Sequence, residues 1–243
     1  MKARSLASLL CMLALVAGSR GAETPVASAE PNKPVANDPA LALVEDVAGL
    51  PRVLLIGDSI AMGYDLPVRA SLRGRANVHR PPENCGETGC GLRQLEAWLG
   101  AGRWDVIHFN FGLHDLKYLD TQGKYVAPAQ GKVVSSLPEY EATLRELVKR
   151  LKRTGATLIY ATTTPVPDGT LARIEHEEIA YNAVARRVMK EAGVMIDDLH
   201  ALAVAKQSEL QRPNDVHFTE EGYRRLGDAV TASAVAALPA VRR

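Results

Sequence analysis

RVLLIGDSIAMGY, Arg52 to Tyr64, joins an apolar run to a polar break within a few residues. Val53 to Ile56 is uninterrupted and apolar, the pattern of a strand buried on both faces of a parallel sheet. Gly57 ends the run and Asp58 and Ser59 follow it. Strand, sharp turn and helix start put Ser59 at a strand's carboxyl end, where open α/β sheets place their ligand crevice. The first turn of that helix also points unpaired N–H groups at anything bound there. Taken alone, the stretch is equally consistent with Asp58 and Ser59 as helix caps.

Outward from this stretch, strands and helices alternate. LRQLEAWLG (Leu92 to Gly100) has helical spacing and a Gly stop. WDVIHFNFG (Trp104 to Gly112) reads as the next strand, and the amphipathic PEYEATLRELVKRLKRTG as a helix ending at Gly155. ATLIYATTTPVP is a further strand, IEHEEIAYNAVARRVMKEAG a helix ending at Gly193, and VMIDDL a short strand. TEEGYRRLGDAVTASAVAAL closes the chain as a helix with Thr219 at its N-cap; Gly222 leaves no capping box to complete. The alternation predicts a parallel sheet covered on both faces, with right-handed crossovers.

With 243 residues, 47% of them hydrophobic, the chain can bury one core. Residues 1–21 are expected to lie outside it. Lys2 and Arg4 precede an apolar run from Leu6 to Ala17, and small residues follow through Gly21, the form of a secretory signal peptide. That run is too short for a membrane-spanning helix, and no other stretch approaches the length. A secreted or periplasmic location follows as an expectation. Without Lys2, Arg4 and Arg20 the remainder is near neutral, so composition asks for neither nucleic acid nor an anionic membrane. Residues 22–50, rich in Pro, Ala, Asn and Asp, read as a tether or loosely packed leader, and the domain is expected over 51–240.

In an oxidising compartment Cys85 and Cys90 of NCGETGC would pair as a disulfide. A nucleophilic or metal-binding thiol is the rival reading, but no further Cys or clustered His offers a third and fourth ligand. No metal or other cofactor is expected.

Four strand-end stretches carry polar residues that would converge on one edge of the sheet: Gly57-Asp58-Ser59, Asn84-Cys85-Gly86, Gly112-Leu113-His114-Asp115 and Asn214-Asp215-Val216-His217. Acyl transfer needs a nucleophile, a base, a group to orient the base and donors for the oxyanion. Ser59 and His217 supply the first two.

With these blocks in this order, the chain resembles the SGNH (GDSL-type) hydrolase superfamily of esterases and lipases. The resemblance runs from about Arg52 to Leu238 and includes TTTPVP, YNAVARRVMKEAGVMIDDL and DVHFTEEGY. It implies a flavodoxin-like three-layer α/β/α sandwich around a parallel sheet. It also implies Ser59 as nucleophile and first oxyanion donor, His217 as base, and Gly86 as a further backbone donor, with Gly91 the alternative. Two positions depart from the pattern. His114 stands where the family has Asn and can donate to the oxyanion in its place; Asn110, two residues before Gly112, is a candidate additional donor whose favoured reading is structural. Asn214 stands where the family has Asp, so the group that orients His217 is Asp215, Asn214 or a backbone carbonyl.

The expected activity is hydrolysis of a small-acyl ester or a carbohydrate O-acetyl ester through an acyl-enzyme, with a small-molecule or glycan ester as partner. Lysophospholipase or thioesterase activity, or a glycan-binding module on the same fold without turnover, are the alternatives.

Overall fold

The computed structural model describes residues 38–239. The expected signal peptide and residues 22–37 lie outside the described residues.

Five short strands build one parallel sheet: β1 (Arg52–Ile56), β2 (Asn77–His79), β3 (Val106–Phe109), β6 (Thr157–Ala161) and β7 (Met195–Asp197), in the order β2-β1-β3-β6-β7. Val53–Ile56 and all of β3 are buried, as strands covered on both faces must be. A separate antiparallel pair, β4 (Tyr118–Leu119) and β5 (Lys132–Val133), sits in the connection after β3.

Helices α1 (Ser59–Ser71) and α7 (Glu220–Ala237) pack against each other on one face, with the short α5 (Leu199–Val204) and α6 (Gln207–Leu210) beside α7. α2 (Thr88–Leu99), α3 (Leu137–Lys152) and α4 (Glu178–Ala192) form the other layer. This is the three-layer sandwich expected from the alternation.

Local chemistry sets the helix starts. Asp58 caps α1 by accepting the Ile60 N–H at 2.9 Å, and Thr219 caps α7 by accepting that of Gly222 at 3.0 Å. Ser136 and Glu139 make a capping box at α3. On the other layer, α2 begins at Thr88, four residues before the helix read from the sequence.

Asp38–Leu50, within the stretch read as a leader, is bound to the sandwich. Asn77 holds Val47 from both sides, accepting its N–H at 2.9 Å and donating to its carbonyl at 3.0 Å. Arg69, paired with Asp65 at 2.9 Å, donates to the carbonyls of Pro39, Ala40 and Ala42.

Candidate active site

Ser59 is the first residue of α1, three residues beyond the carboxyl end of β1, so its N–H has no intrahelical partner. Its Oγ lies 3.0 Å from Nε2 of His217. Nδ1 of His217 lies 2.7 Å from Oδ1 of Asp215, which also accepts the backbone N–H of His217 at 3.1 Å. Ser59, His217 and Asp215, three residues nominated by the sequence, thus form one hydrogen-bonded line. Burial pushes the Asp215 carboxyl up, but the two hydrogen bonds from His217, together with the charges of His217 and Arg212, outweigh it and hold the carboxyl below its ordinary range.

The backbone explains why Asp215 rather than Asn214 reaches the ring. Asn214 takes the left-handed conformation, φ 57°, which Asn tolerates better than most residues. Its exposed side chain lies against Gly169, away from His217. The turn sets Asp215 two residues before His217 on the same side, where its carboxylate closes an Asx turn. The left-handed residue supplies the altered turn that an adjacent-position shift demands.

His114 is 7% exposed, and its Nδ1 lies 3.1 Å from Nζ of Lys117. An ammonium has only donors, so Nδ1 accepts and the ring proton resides on Nε2. Burial, and then the charges of Lys117, Arg173 and His217, hold its pKa well below the ordinary imidazole value. His114 is therefore a neutral Nε2–H donor, the chemical equivalent of the Asn amide it replaces. Lys117 is the residue that sequence reasoning missed. Its spacing of three from His114 was the available signal.

The remaining nominees separate. Gly86 has φ 64°, a conformation Gly adopts freely, but its N–H donates to Oδ1 of Asn84 at 3.0 Å. The Gly91 N–H is spent inside α2 on the Glu87 carbonyl at 3.0 Å. Asn110 donates from Nδ2 to the Ala161 carbonyl at 2.8 Å and ties β3 to β6. Asp115 accepts from the N–H and hydroxyl of Thr88 and the hydroxyl of Ser135, which joins the second and third blocks. His79, His108 and His200 pair with Asp46, Asp197 and Glu178, and His176 is exposed, all outside the line.

The expected Cys85–Cys90 disulfide is not formed; both thiols are free. Cys85 is fully buried, its Sγ 4.0 Å from the Glu83 carbonyl, and burial pushes its thiol up to about 12. Cys90 sits half-buried in the first turn of α2.

Among the described residues no group of three His, Cys, Asp or Glu side chains could hold a metal ion. No described helix is long and apolar enough to cross a membrane.

The sequence profile of the GDSL-like Lipase/Acylhydrolase family matches residues 55–225, from within β1 to within α7. The chain belongs to this family. As a GDSL-like hydrolase it is an ester-hydrolysing serine enzyme. No curated protein matches it in sequence. Its fold is similar to that of a lipase/acylhydrolase from Enterococcus faecalis, with TM-score 0.64 and 17% identity over 80% of this chain and 100% of that one. It is also similar to the acetyl xylan esterase AlAXEase, with TM-score 0.58 and 14% identity over 75% and 98% of the two chains. The acetylxylan esterase Axe2 from Geobacillus stearothermophilus gives 0.59 and 20% over 75% and 93%. At these identities the likeness shows the fold, and the GDSL-like blocks carry the chemistry.

Proposed function

We propose that this GDSL-like enzyme is a secreted or periplasmic esterase that cleaves a small-acyl or carbohydrate O-acetyl ester through a Ser59 acyl-enzyme. The observation that carries the reading is the line from Ser59 Oγ through His217 to Asp215, with contacts of 3.0 and 2.7 Å. His217 Nε2 takes the serine proton as Oγ attacks the ester carbonyl, and returns it to the departing alcohol. Asp215 holds the tautomer and stabilises the imidazolium formed between those steps. Water then repeats the sequence on the acyl-enzyme and releases the acid.

The oxyanion is held by the Ser59 N–H and by the Nε2–H of His114. The Gly86 N–H joins them when a substrate oxygen displaces Asn84 Oδ1. Small-acyl specificity is supported by the acetyl esterase fold relatives, and the location by the sequence of residues 1–21 alone.

The test is covalent labelling by a fluorophosphonate together with burst release of nitrophenol from 4-nitrophenyl acetate. Labelling at Ser59 and a burst lost in Ser59→Ala are expected. A folded protein without burst or label, yet with saturable glycan binding, would overturn the reading in favour of a binding module. A screen of acetylated glycans for released acetate then names the alcohol.

A further inference from the structure

Two cations stand against the Leu113–His114 segment, and among the described residues neither has a carboxylate partner. Lys117 is 9% exposed, and its Nζ contacts the neutral Nδ1 of His114 at 3.1 Å and Tyr125, at 3.4 Å from the hydroxyl and 5.1 Å from the ring centroid. Arg173 is half-buried and spends Nε and Nη2 on the Leu113 carbonyl and Nη1 on that of Leu171. Its two bonds to the Leu113 carbonyl set it beside His114, whose neighbouring Lys117 is the second cation, and its charge is felt at His114 and Asp58. Asp58 and Asp215 do not pair with it: their hydrogen bonds go to Ile60 and His217. Desolvated charge is costly unless paired, so two such groups beside His114 need an account.

The backbone is arranged to bring them together. Lys117 and Tyr125 lie on the excursion around the β4–β5 pair, and Arg173 on the loop between β6 and α4. The two are joined by the Tyr118 N–H to the Ala172 carbonyl at 2.8 Å and the Tyr118 hydroxyl to Glu177 at 3.2 Å. Ala172, immediately before Arg173, is a buried non-glycine residue at φ 56°. Such strained residues gather where a side chain must be aimed.

We propose that Lys117 and Arg173 form an anion subsite, so that the preferred substrate is an ester carrying a carboxylate close to the scissile carbonyl. This deepens the proposed function and rests on Ser59 as its nucleophile. A carboxylate fits the donors that remain. Of the three Lys117 N–H bonds two are engaged, and of the five of Arg173 three, so three stay free for an acceptor with two oxygens. The carboxylate can belong to the acyl group, as in a dicarboxylic half-ester, or to the alcohol, as in an acylated sugar acid.

The experiment compares matched esters on the wild-type enzyme, with spontaneous hydrolysis subtracted. Mono-4-nitrophenyl succinate against its methyl ester reads the acyl side, and 4-acetoxybenzoate against its methyl ester reads the alcohol side. One anionic ester should exceed its neutral partner in kcat/KM by about 10- to 100-fold, the range of a hydrogen bond to a charged group. The difference should sit mainly in KM and shrink with salt. Lys117→Met and Arg173→Gln should each remove most of that ratio, and Arg173→Lys should retain part of it. Equal rates within both pairs overturn the subsite while leaving Ser59 catalysis in place. So does an equal loss on charged and neutral esters in the variants, which would confine the cations to serving His114 and the oxyanion. Inertness on all four esters together with no labelling of Ser59 overturns the proposed function, and the subsite with it.

Discussion

Oδ1 of Asp215 accepts both N–H groups of His217, the ring Nδ1–H at 2.7 Å and the backbone N–H at 3.1 Å. One oxygen thus fixes the tautomer of the imidazole and the turn that presents it. Asp215→Asn should therefore lower turnover by about 10²–10⁴, the upper end being the cost of the same change in a serine-protease triad. Asn214→Gly should be nearly silent, since glycine accepts the left-handed backbone, whereas Asn214→Val should lower kcat by displacing Asp215. Steady-state kinetics on 4-nitrophenyl acetate decide it. A silent Asp215→Asn would reduce the proposed machinery to a Ser59–His217 dyad. The carboxyl is held below its ordinary range, so its stabilising charge is present above that range and lost only as pH falls through the lowered value. Any loss of activity above about pH 5 must then come from another group.

His114→Ala should lower kcat by about 10²–10³, the cost of one side-chain oxyanion donor, and His114→Asn should recover part of it. The pH profile carries the sharper test. Because burial and neighbouring cations hold the His114 pKa well below the ordinary imidazole value, this residue contributes no ionisation in the range where an ordinary histidine titrates. The profile of His114→Asn should therefore superimpose on that of the wild type after scaling. A shifted acid limb would mean that His114 protonates in that range, and that Lys117 does not set its tautomer.

Four of the five sheet strands, the helices α1, α2, α3, α4 and α7 and the four polar blocks were legible, because those strands are largely apolar and two of the blocks, Gly57–Ser59 and Gly112–Asp115, closely follow one; the three-residue β2 (Asn-Val-His) and the short α5 and α6 show no such pattern. Val53–Ile56 followed by Gly57 is the plainest case. What was not legible depended on contacts between distant or conformationally unusual residues. The left-handed turn at Asn214 decides between two adjacent acceptors, and Asn occurs both inside and outside that conformation. The β4–β5 excursion has strands of two residues each, too short for a period to show. Asn110 lies in the right block for an oxyanion donor, yet its amide satisfies the Ala161 carbonyl on the neighbouring strand. The Cys85–Cys90 spacing suits a small bridged loop, yet both thiols are free, one in the core and the other in the first turn of α2.

Iodoacetamide without reductant, followed by fragment-resolved mass spectrometry, should find Cys90 alkylated in the native protein and Cys85 only after unfolding. Cys85 is inaccessible and its thiol is pushed up to about 12, so it presents almost no thiolate. Burial raises the Cys90 thiol as well, so its labelling should be slow and should quicken with pH. Protein in which neither sulfur reacts even in denaturant would contain the disulfide after all.

The separation of Ser59 and His217 is set by how closely α1 and α7 approach, because Ser59 begins α1 and His217 stands three residues before α7. Gly63 of α1 lies against the Tyr223 ring of α7. A Cβ there would fall 2.1 Å from Cε1 of Tyr223 and 2.4 Å from two further ring atoms. Tyr223 packs against the core and on Phe218, with ring centroids 5.8 Å apart, so it has little room to yield. Gly63→Ala gains helix propensity worth up to about 1 kcal/mol but overpacks the contact, which typically costs about 1–3 kcal/mol. The clash is deep enough that the second effect should win. The melting temperature should fall by several degrees, at about 2–4 °C per kcal/mol for a domain of this size. Turnover should fall with it at temperatures where the variant is still folded, because α7 must shift and carry His217 away from Oγ. Pairing Gly63→Ala with Tyr223→Leu should restore part of both, a coupling that independent sites would not show. A Gly63→Ala enzyme with wild-type melting and rate would mean that the two helices can part without moving the base, and the spacing of the Ser59–His217 pair would then have to be set by the sheet edge alone.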